Sequence, residues 1–134
     1  MKVVVTGQVG IDKKPFLEKL QSMAQDQERQ LSVFHVGQMM YAEAPDVAAG
    51  RILDLPLARL HGLRRSVIKD VLAASKRTDN LVVNTHATFR WRHGLFPAFD
   101  FDQMAELNAD LYVTLIDNVD GIHARLVRRA NSGL

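Results

Sequence analysis

The residues best suited to chemistry lie in the first sixteen positions. Lys2-Val3-Val4-Val5-Thr6 is a β-branched, apolar run, and Gly7, Gly10, Lys13 and Lys14 follow it. A strand that delivers the chain to a glycine, with a lysine six positions later where a helical pattern begins, has the spacing of a phosphate-cradling loop, G-x-x-x-x-G-K-[ST]. Such a loop works through converging backbone N–H groups and the start of the next helix, with the lysine adding charge. Gly7 and Lys13 stand at the first glycine and the lysine of that pattern. Asp12 replaces the second glycine, Lys14 replaces the hydroxyl residue, and Pro15 follows. Anion binding is the chemistry that survives, and the plainer alternative is a tight strand-to-helix turn with a solvated lysine.

Other candidates are weaker. Arg90 follows a short apolar strand, Leu81 to Thr85, and ligands in open α/β sheets bind beyond the strands' C-terminal ends. Arg125 and Arg129 are four apart, so they clamp an anion or share an exposed face. His86 reads as a hydrogen-bonded residue at a strand end, and the other histidines lack metal-ligand spacing. Arg64 and Arg65 read as a solvated helix face. Phe96, Phe99 and Phe101 read as loop packing, and Asp117 and Asp120 as caps of a last helix.

A chain of 134 residues is one domain with room for a core. A formal charge of only +2 makes nucleic acid an unlikely partner, and the absence of cysteine excludes disulfides and thiolate metal sites. No apolar run reaches the ~20 residues of a membrane span. The expectation is a cytoplasmic protein without membrane contact.

The elements that must position these residues alternate. Helical spacing runs from Pro15 to about Arg29, a second strand over Leu31 to Val36, a short helix from Gln38 to Ala44 and a longer one from Leu57 to about Lys76. Ala87 to Asp102 reads as a long aromatic and basic loop. One or two helical turns follow from Gln103, then a fourth strand over Leu111 to Ile116 and a last helix capped by Asn118 or Asp120. Strands alternating with helices predict an α/β fold with a parallel sheet.

The whole chain resembles the nucleoside monophosphate kinases with a P-loop, and most closely the archaeal type of adenylate kinase. The resemblance rests on the opening Val-Thr-Gly-x-x-Gly-x-x-Lys, on His35-Val36-Gly37-Gln38-Met39-Met40, and on Val83-Asn84-Thr85-His86-Ala87-Thr88-Phe89-Arg90. Gly94-Leu95-Phe96-Pro97 and Arg125-Leu126-Val127-Arg128-Arg129 also fit. It implies a three-layer P-loop NTPase fold with a central, mostly parallel sheet, four strands visible here and a fifth missing along with the lid. It implies phosphoryl transfer from ATP, with Lys13 and Arg90 as catalytic residues. Lys13 would hold the donor phosphates together with Gly7, Gly10 and Lys14, Arg125 and Arg129 would border the donor base, and Gly37, Met40 and Arg90 would bind the acceptor.

Departures from the family pattern cluster at the donor site. Asp12 puts a carboxylate where phosphate approaches, Pro15 deletes an N–H, and Lys14 and Asn84 replace both expected magnesium ligands, so no residue is assigned to a metal. Gln38 replaces an acidic residue near the acceptor helix. The leading expectation is an adenylate kinase-like domain that binds nucleotide or phosphate but is catalytically impaired, as a sensor or non-catalytic subunit. The rivals are an active ATP-dependent nucleoside monophosphate kinase with an altered loop, and a structural module that meets a protein partner at an open sheet edge.

Overall fold

The computed structural model describes residues 1–131. In chain order it contains β1 (Lys2–Gly7), α1 (Lys14–Asp26), β2 (Ser32–His35), α2 (Val36–Glu43), α3 (Leu57–Ser75), β3 (Leu81–Asn84), β4 (Thr88–Trp91), β5 (Gly94–Pro97), α4 (Phe101–Leu107), β6 (Leu111–Leu115) and α5 (Val119–Asn131). Four strands form one sheet in the order β2-β3-β1-β6. All three pairings are parallel, with Val4 opposite Val83 and Tyr112, and His35 opposite Asn84. The predicted α/β architecture with a central parallel sheet is therefore present.

The alternation of side chains along β1 divides the core. Val5 packs with Val82 and Leu17 of α1 on one face, joined by Val3, Val33, Val113 and Leu115. Val4, Leu81 and Val83 point to the other face, against Leu60, Val67 and Val71 of α3, Met40 of α2 and Leu107 of α4. Central strands covered on both faces need the continuous apolar runs that β1 and β3 carry. Their C-terminal ends converge at Gly7 and Asn84, and the loops there build the site.

The segment from Ala87 to Asp102 differs from the expected loop. It folds as an antiparallel hairpin, Phe89 opposite Phe96 and Trp91 opposite Gly94. Phe89 is buried, 2% exposed, and stacks on Phe96, while Trp91 meets Phe96 edge-on and its Nε1 donates to Leu55 O. Arg90 and Arg92 consequently face outward. The aromatic residues of this segment follow a period of two, which is a strand signal that its basic residues obscured. Phe99 packs near Tyr112, but Phe101 is 84% exposed and packs nothing. Among the described residues no helix is long and apolar enough to cross a membrane.

Candidate functional site

β1 ends at Gly7, and the chain turns through Gln8–Ile11, closed by the Ile11 N–H donating to Gln8 O at 3.0 Å. Gly10 takes φ +101° in this turn, a conformation that side chains rarely tolerate. A Cβ there would lie 3.0 Å from Ile122 Cγ2 and Leu126 Cγ, so α5 packs directly on the loop. Arg125 reinforces that packing: its guanidinium donates to Gly10 O at 3.2 Å and to Asp117 Oδ2 at 2.6 Å. Arg125 is thus a structural brace of the loop and does not line the cleft beneath it. Asp117 also accepts from the Asn118 N–H, and the Asn118 side chain caps α5 by accepting from the Asp120 N–H.

The start of α1 holds the clearest departure from a phosphate loop. The Asp12 carboxylate accepts from the Lys14 N–H at 3.2 Å, so a side chain occupies a donor that would otherwise face an anion. Lys13 lies beside it, 8% exposed, with Nζ donating to Thr85 O at 2.6 Å. Burial pulls the Lys13 ammonium down from 10.5 to about 8, with no carboxylate at hand to oppose the shift.

A cleft of about 610 Å³ opens over these groups and is lined in part by Gly10, Lys13, Lys14, Gly37, Arg64 and Arg129. At its floor His86 Nδ1 lies 3.0 Å from Gly7 O; a carbonyl only accepts, so Nδ1 carries the proton. Burial lowers the His86 pKa, and Lys13, Arg64 and Arg129 lower it further against the raising effect of the Gly7 bond. The imidazole is therefore neutral at pH 7 and offers Nε2 as an acceptor. Asn84, on the same cleft, contacts His35 Nδ1 through Nδ2 at 3.0 Å, while its Oδ1 is buried without a partner.

Of the residues singled out by sequence, Gly10, Lys13, Lys14, Gly37 and Arg129 thus meet on one cleft, and Gly7 forms its floor. Two others sit elsewhere. Met40 is 2% exposed within the α2–α3 core, and Arg90 stands on the outer face of the hairpin because its neighbours Phe89 and Trp91 turn inward. Arg64 is a correction in the opposite sense. It is not on a solvated face but half-buried over the Phe89 ring, 5.0 Å from the centroid, on the wall of the cleft. No signal in the α3 sequence separates it from Arg65, which is exposed and paired with Asp100.

The sequence profile of the AAA domain family matches residues 6–134. The chain belongs to that family. It is accordingly a P-loop, kinase-like nucleotide-binding domain, and the turn after β1 is its loop. The shikimate kinase from Aquifex aeolicus vf5 is similar in structure at a TM-score of 0.49 and 12% identity, over 100% of this chain and 99% of that one, a likeness too loose to bear on function.

The side chains of this AAA domain suit an anion better than a metal. Lys13, Arg64 and Arg129 converge electrostatically on His86. For a hard divalent cation, which takes oxygen ligands, the cleft supplies poor donors. Asp12 is engaged with the Lys14 N–H, Glu18 lies 3.9 Å from Lys14 Nζ, and Asn84 offers one neutral oxygen. These residues do not fit magnesium.

Lys13 also makes stability depend on pH. The folded state holds this proton less tightly than the unfolded chain does, between about pH 8 and 10.5. Stability should therefore rise with pH across that window, and below it the strain is fully present. The shift corresponds to at most about 3 kcal/mol, and on the order of 1–2 after allowing for water in the open cleft. Lys13→Met should be more stable than wild type at pH 7 and lose the rise between pH 8 and 10.5, measured by urea unfolding.

Proposed function

We propose that this AAA domain is an adenylate kinase-type fold that binds a nucleotide or phosphate in the cleft without transferring phosphoryl groups, as a cytoplasmic sensor or non-catalytic subunit. The observation that carries the reading is the Asp12 carboxylate bonded to the Lys14 N–H at the start of α1. A carboxylate there opposes the donor phosphates. Lys13, folded onto Thr85 O, must exchange that bond to reach one. Phosphoryl transfer is mostly positioning and charge neutralisation, and both are compromised when the loop carries its own anion and the metal ligands are replaced. Binding is less demanding, because the Lys13, Arg64 and Arg129 charges remain.

Thermal-shift titration with ATP, AMP and inorganic phosphate, with and without magnesium, tests the binding. A ligand at tenfold excess over its Kd should stabilise the protein by about 1.4 kcal/mol, with little dependence on magnesium. A coupled phosphotransfer assay tests the impairment. Turnover that disappears in Lys13→Ala would sink the non-catalytic reading and establish the active-kinase alternative. Absence of stabilisation by every nucleotide at millimolar concentration would remove the binding itself.

A second reading, contact with a protein partner, is supported by the outer edge of β6. Leu111 and Tyr112 are about half exposed there, and Ile116 just beyond is 89% exposed. A strictly monomeric species in light scattering, with no co-purifying protein, would count against it.

A further inference from the structure

Arg64 is the group that nucleotide binding at the loop leaves unexplained. Its Nε and Nη1 are buried and face no acceptor, and no described carboxylate pairs with it. Its close companion is the ring of Phe89. A cation over an aromatic face gains about 0.5–2 kcal/mol, while each buried unmatched donor loses roughly 1–3 kcal/mol, more when charged. Stacking does not offset two such donors. A guanidinium is better served by an oxyanion that takes two parallel N–H bonds. Burial also pushes the Arg64 pKa below its ordinary value.

The place of Arg64 suggests what that oxyanion belongs to. Its side chain borders both the main cleft and a second recess of about 340 Å³, whose other walls include Ile68, Ala98, Phe99 and Gln103. It therefore partitions the two spaces. On the cleft side Asn84 Oδ1 is an acceptor with no donor. One wall thus presents unmatched donors and an unmatched acceptor, beside a recess within the size range of small-molecule sites.

We propose that Arg64 and Asn84 bind a small organic oxyanion that also carries a hydroxyl, a phosphate monoester or a carboxylate. The oxyanion accepts from Arg64, the hydroxyl donates to Asn84 Oδ1, and the organic body occupies the second recess. The inference rests on the reading of the cleft as an anion site and assigns the anion to the α3 wall instead of the loop. Binding draws the guanidinium off Phe89, because Nε and Nη1 have no space for an oxygen where they rest.

Isothermal titration of wild type, Arg64→Met, Arg64→Lys and, as a control on the same helix, Arg59→Met tests this. The probes are AMP for the phosphate monoesters, glycerate for the carboxylates, inorganic phosphate for a bare anion, and ATP. Arg59 pairs with Asp46 outside the site. The expected result is that AMP or glycerate binds wild type more tightly than inorganic phosphate does, and that Arg64→Met weakens the organic probe at least tenfold. Arg64→Lys should fall between, and Arg59→Met should stay within twofold. Arg64→Met should melt at the wild-type temperature or above it, because it removes an unmatched buried cation. If it fails to fold, Arg64→Lys decides.

Equal affinities in wild type and both Arg64 variants would overturn the proposal while leaving nucleotide binding intact. Inorganic phosphate binding as tightly as both organic probes would overturn the role of the second recess, and with it the proposal. Binding of ATP alone would overturn it too, whereas wild type that binds none of the four probes would overturn both readings together.

Discussion

Restoring glycine, threonine, threonine and aspartate at Asp12, Lys14, Pro15 and Asn84 together should tighten ATP binding by as much as about three decades. Two unit charges ~4 Å apart at an effective dielectric of ~20 interact by roughly 4 kcal/mol, and ~1.4 kcal/mol is tenfold in affinity. Asp12→Gly removes the repulsion and frees the Lys14 N–H, which the carboxylate now holds. Lys14→Thr and Asn84→Asp return a hydroxyl and a carboxylate for magnesium, so the gain should depend on the metal, as it does not in wild type. Loss of the exposed Lys14–Glu18 pair should matter little. Isothermal titration in magnesium and in chelator measures both effects. An unchanged Kd for ATP would show that these four positions are not what weakens the donor site.

Gly10→Ala should destabilise the fold by about 2–4 kcal/mol, from backbone strain at a sparsely populated φ and overpacking of a closed contact. Both causes are visible: φ is +101°, and the new Cβ would press on Ile122 and Leu126 of α5 at 3.0 Å. Gly37 supplies the contrast. It lies in the first turn of α2 with no atom within 4 Å of a built Cβ and no positive φ. Gly37→Ala should be neutral or stabilising by up to about 1 kcal/mol. Urea unfolding of the two variants compares them directly. Equal stability would mean that α5 does not brace the loop. Since Arg125 is spent on Gly10 O and Asp117, Gly10→Ala should also disturb the cleft from behind and weaken anion binding.

Much of the architecture was determined by local sequence. The unbroken apolar runs of β1 and β3, the helical spacing of Leu60, Val67, Ile68 and Val71, and the glycine after β1 announce parallel strands, a long core-facing helix and a strand-to-helix turn. Each of these signals lives within a few residues, so it can be read without knowing what lies across the molecule. The same holds for Lys13 and Asp12, whose meaning comes from their spacing to Gly7. What only the tertiary structure decided is which charges share a space. Arg64 and Arg65 are neighbours of one type on one helix, yet one lies over Phe89 and the other pairs with Asp100. Arg125 and Arg129 are one turn apart, yet only Arg129 reaches the cleft, because Gly10 O and Asp117 hold Arg125. Arg90 turns away because the hairpin's alternation sends Phe89 and Trp91 inward. A side chain's partners come from elements 30 to 115 positions away, and no local pattern encodes a distance of that kind.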